Sequence, residues 1–304
     1  MKFLVFGAGA IGSLIGGSLA TLHPVTLVGR RGHVQAIRRH GLVVRGHTEV
    51  RVHPEALEYA AEAEVPDVVI LTVKSYDTRS AVNALRRFRK EALFLSLQNG
   101  LGNVEILAER SSRVLGGVTY HGVTFLGPGE IEHAGSGDTI LGPIKGASLG
   151  EAEGVAEAFR ACGLPALATA SIEAALWSKT VVNACFNPLT ALLGARSGAL
   201  GRNDWLSQCS PMIVGEAVAV AGVHGIKLAA RDLLERVQAV SDATARNKSS
   251  MLQDVEKGHR TEIDAINGAI ERMGAERGID CPVNRLLTLL VKAFSEVRSS
   301  EWRA

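Results

Sequence analysis

Lys179, Asn183 and Asn187 follow one another at i, i+4 and i+8 within Leu176-Trp177-Ser178-Lys179-Thr180-Val181-Val182-Asn183-Ala184-Cys185-Phe186-Asn187-Pro188-Leu189-Thr190. In a helix they share one face, drifting by only about 80° over two turns. Their neighbours Val181, Val182, Ala184, Cys185 and Phe186 are apolar. A lysine and two asparagines in so apolar a helix are costly unless each finds a partner. Asparagine is also a mediocre helix former, so two in register point to a demand from outside the helix. Two plainer readings stay open: a solvent-facing polar stripe, or asparagines that cap backbone at the kink made by Pro188.

A second polar constellation is Asn247-Lys248-Ser249-Ser250-Met251-Leu252-Gln253-Asp254, followed by Arg260-Thr261-Glu262-Ile263-Asp264. Ser250 stands before a helical stretch and reads as an N-cap. That role is compatible with ligand binding, because a helix start also receives a carboxylate. Glu262 has the plainer reading of a first-turn residue that favours the helix dipole after Gly258.

The elements that must position these residues fall into two grammars. Up to residue 170 short apolar strands recur at 2–6, 25–28, 67–73, 92–97, 114–125, 130–133 and 138–142, with a helix at 151–162 and a last strand at Pro165–Ala168. The early alternation with helices predicts an α/β fold with a mostly parallel sheet. Gly135-Ser136-Gly137-Asp138 predicts an antiparallel hairpin at the sheet edge. From Ser171 onward apolar positions recur at helical spacing in Ile172–Leu193, Trp205–Val223, Ala229–Ala245, Thr261–Met273 and Val283–Val297, and nothing alternates like a strand. Ser171 is a plausible helix start and Gly194 a plausible stop, and Gly278, Asp280 and Pro282 punctuate the last two helices. The expected organisation is a Rossmann-type dinucleotide-binding domain over 1–170 and an all-α domain over 171–304.

The first strand delivers Gly7-Ala8-Gly9-Ala10-Ile11-Gly12 into a helix. In such a turn the first glycine makes the tight bend, the second lets backbone approach a pyrophosphate, and the third allows close helix–strand packing. The helix N-terminus then faces the anion. The competing reading is an ordinary turn, since 33 of the 304 residues are glycine. The next strand, Val25-Thr26-Leu27-Val28, runs into Gly29-Arg30-Arg31-Gly32, and no Asp or Glu occurs in the first 48 residues. An NAD site places an acid about 20 residues beyond the glycines. Arginine there matches the 2′-phosphate of NADP bidentately; otherwise the pair belongs to a solvated loop.

Composition narrows the class. A hydrophobic fraction of 46% and a charged fraction of 21% are those of a globular protein with large cores. A net charge of +2, with no basic stripe interleaved with aromatics, gives no reason to expect a nucleic-acid partner. No uninterrupted apolar stretch of about 20 residues lies beyond the amino terminus, so no membrane partner is expected. Lys2 and the small-residue run that follows resemble a signal peptide, but glycines at 7, 9, 12, 16 and 17 break the apolar core, and a cytoplasmic location is expected. Cys162, Cys185, Cys209 and Cys281 form no C-x-x-C pair and read as free thiols, with no metal site.

At these residues the chain resembles the ketopantoate reductase (2-dehydropantoate 2-reductase) family. The resemblance spans Gly7–Gly12, Leu71-Thr72-Val73-Lys74, Gln98-Asn99-Gly100, the Lys179/Asn183/Asn187 helix, and Ser249-Ser250-Met251-Leu252-Gln253-Asp254 through Glu262-Ile263-Asp264. It implies NADPH-dependent reduction of a 2-keto acid, with Lys179 as general acid and Asn183, Asn187 and Ser250 holding substrate. It also places Glu262 at the active site beside the nicotinamide and the lysine, and Gly7, Ala8, Gly9, Ala10, Ile11, Gly12, Arg30, Lys74 and Asn99 on the cofactor. The family carries a polar residue about ten positions after Asn187, where this chain has Ser197, a further substrate contact by resemblance. The chemistry is coherent: a charged lysine, unperturbed near pKa 10.4, polarises a ketone and protonates the alkoxide that hydride transfer leaves, with Glu262 keeping it charged. Rival readings are a paralogue for another branched 2-oxo acid, a non-catalytic cofactor-binding sensor, and His121 as the acid. Self-association as a homodimer is compatible with the sequence, which does not set the oligomeric state.

Overall fold

The computed structural model describes residues 1–299. By internal packing the chain divides into two units: Met1–Gln98 with Gly102–Ala175, and Asn99–Leu101 with the chain from Leu176 onward.

The first unit holds strands β1 (Phe3–Phe6), β2 (Val25–Val28), β3 (Leu42–Gly46), β4 (Val50–Val52), β5 (Glu55–Leu57), β6 (Val68–Leu71), β7 (Leu93–Ser96), β8 (Val114–Thr119), β9 (Gly122–Gly127), β10 (Glu130–Gly135), β11 (Thr139–Lys145) and β12 (Ala166–Ala168). Its helices are α1 (Ala10–Leu19), α2 (Arg31–His40), α3 (Thr78–Ala84), α4 (Asn103–Arg110) and α5 (Leu149–Ala161). Eight strands make one sheet in the order β12-β11-β8-β7-β6-β1-β2-β5. It is parallel from β8 through β5, and β11 is antiparallel to β8. Strands such as Val68-Val69-Ile70-Leu71 are wholly buried, which is why they read as continuous apolar runs rather than alternating ones. From β1 the chain goes to β2 on one side and later to β6 on the other. The topological switch point therefore lies at the carboxyl end of β1, where Gly7 begins, and open α/β sheets bind ligands at such a point.

Four strands form a second sheet, β4-β3-β10-β9, which packs on α1. A side chain on Gly16 would strike Leu27 and Val5 of the large sheet, and one on Gly17 would press on Leu42 and Val44 of the small one. Adjacent glycines thus let α1 lie between the two sheets.

Three sequence expectations are corrected here. The segment 114–125 is not one strand: it breaks at Tyr120-His121 into β8 and β9, which join different sheets. Gly135–Asp138 is not a hairpin turn, because β10 pairs with β9 and β3 while β11 pairs with β8 and β12. The strands β3, β4 and β5 went unforeseen; they are short, β3 and β5 are buried only in part, and β4 has no fully buried residue. In α5 the start is Ser148, whose hydroxyl accepts the Glu151 N–H while the Glu151 carboxylate accepts the Ser148 N–H, a reciprocal cap.

The second unit contains no strand among the described residues. It comprises α6 (Glu173–Leu193), α7 (Ala199–Arg202), α8 (Asp204–Val223), α9 (Ala230–Ala243), α10 (Ser250–Glu256), α11 (Asn267–Ala275) and α12 (Pro282–Ser299). Gly194, with φ +63°, follows α6 as foreseen. The single helix expected over Thr261–Met273 is instead a 3₁₀ turn, Ile263–Ala265, and then α11, with a break at Ile266 (φ −103°, ψ −96°). By length and composition α8 is apolar enough to cross a membrane, with a third of that stretch buried; its Glu216 accepts hydrogen bonds from the start of α12.

Candidate active site

The glycine turn is shaped by space. Gly7 has φ +110°, and a Cβ there would lie 2.6 Å from the Val73 amide nitrogen. At Gly12 a Cβ would lie 2.3 Å from the Gly7 carbonyl oxygen and 2.5 Å from the Thr72 hydroxyl, so α1 can approach β1 and β6 only with glycine. Above Gly9 the space is open. The first hydrogen bond of α1 runs from the Ser13 N–H to the Gly9 carbonyl, and no side chain caps the helix, so the amides of Ala10, Ile11 and Gly12 stay available. Open space over free amides at a helix N-terminus fits a pyrophosphate.

Arg30 caps the start of α2 after β2, and both Arg30 and Arg31 are exposed. Among the described residues neither guanidinium is engaged in an ion pair or hydrogen bond, which suits a pair waiting for an external phosphate. Half-buried Lys74 begins the 3₁₀ turn Ser75–Asp77 after β6. Gln98 is anchored by donating to the Val73 carbonyl (3.0 Å) and the Thr78 hydroxyl (2.7 Å), fixing the approach to Asn99. Asn99 itself groups with the helical unit, where the Leu101 N–H donates to the Ala265 carbonyl at 2.8 Å.

Helix α6 carries Lys179, Asn183 and Asn187. Asn187 is only 4% exposed, and Lys179 and Asn183 are half-buried, so the face is not a solvated stripe. Nor do the asparagines cap the proline break. Pro188 has no N–H to give the Ala184 carbonyl, and that acceptor is filled instead by the Asn267 amide at 3.2 Å. The side-chain amides of Asn183 and Asn187 make no hydrogen bond among the described residues. Neither is among the side chains whose polar atoms are buried without a partner, so both amides can be reached from outside the fold.

Lys179 departs from the ordinary lysine assumed from sequence: burial pulls its pKa from 10.5 down to about 8. Glu262 opposes that fall, in the direction expected, and Arg236 on α9 adds to it. Glu262, 5% exposed, precedes the 3₁₀ turn rather than opening a regular helix. Arg236 was not foreseen; an arginine at an exposed helical position carries no signal in sequence.

The N-cap of α10 is Ser249, not Ser250. Ser249 Oγ accepts the Leu252 N–H at 3.1 Å and lies 2.6 Å from the Thr190 hydroxyl of α6. This leaves the exposed Ser250 hydroxyl with no partner among the described residues. Ser197, a substrate contact by resemblance, is held by backbone. It is 5% exposed, its N–H and hydroxyl both donate to the Asn247 carbonyl (3.0 and 3.3 Å), and its carbonyl accepts the Ser241 hydroxyl (3.2 Å). It thereby ties down the segment leading to Ser250. His121 lies in the first unit, with Nδ1 3.0 Å from His133 Nε2 and accepting the Gly137 N–H at 3.3 Å. The four cysteines are free, and burial pushes the Cys185 thiol up to about 12, so it supplies no thiolate.

A glycine turn with open helix-start amides at the switch point of a parallel sheet, followed by a helical unit carrying a lysine of lowered pKa, fits a dinucleotide-dependent oxidoreductase. Comparison with known proteins sharpens that class. Residues 3–146 match the family described as Ketopantoate reductase PanE/ApbA, and residues 171–295 match its C-terminal counterpart. A 2-dehydropantoate 2-reductase of Pyrococcus horikoshii is 39% identical over 96% of this chain and 97% of its own length; one of Archaeoglobus fulgidus is 40% identical over 95% and 96%. Among solved structures, a PanE/ApbA family ketopantoate reductase from Ralstonia eutropha superposes with a TM-score of 0.91 at 34% identity, covering 99% of this chain and 100% of that one. A D-mandelate dehydrogenase bound to NADH and anilino(oxo)acetate gives 0.94 at 28% identity, with coverage of 99% and 100%. The chain belongs to the ketopantoate reductase family.

Proposed function

We propose that this protein reduces 2-dehydropantoate to pantoate with NADPH, feeding pantothenate and coenzyme A synthesis in the cytoplasm. Residues 1–170 hold the nucleotide and 171–304 hold the substrate. The observation that carries the reading is the α6 face, where Lys179 of lowered pKa stands with two asparagines whose amides make no hydrogen bond among the described residues.

When bound, the reduced nicotinamide supplies a hydride to the keto carbon. The Ala10, Ile11 and Gly12 amides, with Gly7, Ala8 and Gly9 shaping the turn, receive the pyrophosphate; Arg30 pairs with the 2′-phosphate, and Lys74 and Asn99 contact the nucleotide. The Lys179 ammonium donates to the keto oxygen and passes its proton to the alkoxide oxygen. At a pKa of about 8 it is still mostly charged at neutral pH and gives up its proton more readily than an ordinary lysine. Glu262 keeps that charge in place. Asn183, Asn187 and the Ser250 hydroxyl orient the acid by neutral hydrogen bonds. Ser197 holds the Ser250 segment through the Asn247 carbonyl and offers the substrate its hydroxyl as an acceptor.

A second reading, a reductase of another branched 2-oxo acid, is favoured by the likeness to an NADH-bound D-mandelate dehydrogenase. A site that binds a hydroxyl rejects analogues lacking it, because its buried donors are left unpaired. The test is a panel of 2-oxo acids with both cofactors: 2-dehydropantoate should exceed 2-ketoisovalerate, which lacks the hydroxymethyl arm, by a large factor in kcat/KM. Equal rates, or preference for a bulkier acid, would move the chain to the second reading. Homodimerisation belongs to the same proposal. Trp205, Met212 and Val223 leave an exposed apolar edge on α8, and sedimentation velocity reads the outcome.

A further inference from the structure

Helix α6 carries a proline in its interior, and a proline there removes one hydrogen bond and leaves the carbonyl four residues earlier unserved. In this chain that carbonyl belongs to Ala184, between Asn183 and Cys185. Asn267, wholly buried at the start of α11, donates its side-chain amide to the Ala184 carbonyl at 3.2 Å and to Asn284 Oδ1 at 3.0 Å. Two acceptors facing one nitrogen fix which way the amide points, since the flipped form would oppose oxygen to oxygen. The polarity continues outward: the Asn284 amide donates to Glu216 at 2.6 Å, and the same carboxylate accepts the Val283 and Asn284 N–H groups at 2.8 and 3.0 Å. Glu216 therefore orients Asn284, Asn284 orients Asn267, and Asn267 ends on the break in α6.

Asn267 is also five residues beyond Glu262, and the span between them is stiff. The Ala265 N–H bonds the Glu262 carbonyl at 3.0 Å and the Ile266 N–H bonds the Ile263 carbonyl at 3.2 Å. Asp264 is held by Lys292 at 2.5 Å. The Asn267–Ala184 bond tethers this span to the lysine-bearing helix through a side-chain amide.

We propose that Asn267 is a positioning residue for the reaction: by taking the carbonyl that Pro188 strips of its helical partner, it fixes the Glu262 segment against α6 and so sets the Glu262–Lys179 pairing. The inference rests on Lys179 being the proton donor. Two charged groups act on Lys179, Glu262 raising its pKa and Arg236 lowering it. Loosening Glu262 leaves burial and Arg236 to prevail, and the pKa falls. Proton donation then fails at a lower pH.

The experiment measures kcat against pH for the reduction, with NADPH and 2-dehydropantoate, in wild type, Asn267→Leu and Pro188→Ala. Asn267→Leu removes the donor at similar volume. Pro188→Ala gives the Ala184 carbonyl a helical N–H that competes with the Asn267 amide and weakens its hold from the other side, in a helix that gains a hydrogen bond. Both variants should move the midpoint of the basic limb down by about 0.5 to 1 pH unit, a fraction of the 1 to 3 units an adjacent opposite charge commands. An unchanged or raised midpoint in either variant, whatever happens to thermal stability, overturns the proposal. Lys179→Ala is assayed alongside: undiminished turnover there refutes the lysine reading itself, whereas its collapse together with an unmoved midpoint in the variants refutes only the role of Asn267.

Discussion

The nucleotide cradle and the α6 face do opposite things with their residues. The cradle is six consecutive positions that offer backbone: in the proposed function amides at a helix start do the binding, and glycine is required at position 12 because a Cβ would sit 2.3 Å from the Gly7 carbonyl oxygen. The proposed substrate site, centred on the α6 face, relies on side chains drawn from positions 179 to 262, and their properties come from what the fold places around them. Lys179 is ordinary in sequence, and its pKa falls to about 8 only through burial, with Arg236 adding to the fall and Glu262 opposing it. A backbone site is therefore a local pattern, sensitive to collision. A side-chain site is a tertiary one, sensitive to the loss of a single group.

That contrast breaks most visibly at Lys179. Lys179→Ala should lower kcat by about 10²- to 10⁴-fold, the usual contribution of a general acid, while NADPH still binds to the untouched cradle; fluorescence titration alongside steady-state kinetics separates the two effects. Loss of nucleotide binding in this variant would mean the division of labour is drawn wrongly. The next effect is smaller and lies on the cradle side. Arg30→Ala should raise the KM for NADPH by about 10- to 150-fold, the equivalent of a hydrogen bond to a charged group worth about 1.5–3 kcal/mol, and leave the KM for NADH nearly unchanged. Wild type using both cofactors equally would contradict the pairing with the 2′-phosphate. Smallest is Ser250→Ala, which should cost about 2- to 10-fold in kcat/KM, a neutral hydrogen bond of about 0.5–1.5 kcal/mol, with no change in melting temperature because Ser249 holds the cap. If Ser250→Ala lowered the melting temperature by several degrees while Ser249→Ala did not, the two serines would have exchanged roles.

Much of this was legible in the sequence, and unevenly so. The glycine turn, the arginine after β2 and the polar face of α6 are set by spacing along a single element, and periodicity displays them directly. The antiparallel hairpin expected at Gly135–Asp138 went astray because turn chemistry shows where a chain bends and not which strand it meets next; β10 and β11 part to different sheets. The choice between Ser249 and Ser250 as cap turns on one residue of register, which propensity does not resolve. Ser197 enters as a substrate contact by resemblance alone; that its hydroxyl also donates to a carbonyl 50 residues away is a tertiary fact with no local signal. The Asn267–Ala184 bond spans 83 residues, and no local pattern announces it.

The central claim, that a lysine tuned by its surroundings exchanges the proton with the substrate oxygen, is tested most directly by the pH dependence of kcat in both directions. Reduction needs Lys179 charged, so its rate should fall about tenfold per pH unit once the pH rises through about 8. Oxidation of the hydroxy acid needs the neutral amine to accept the proton, so its rate should rise through the same midpoint. Mirror-image limbs crossing near pH 8 are the predicted result; a reduction rate that stays level to about pH 10, or a limb that persists unchanged in Lys179→Ala, would contradict it.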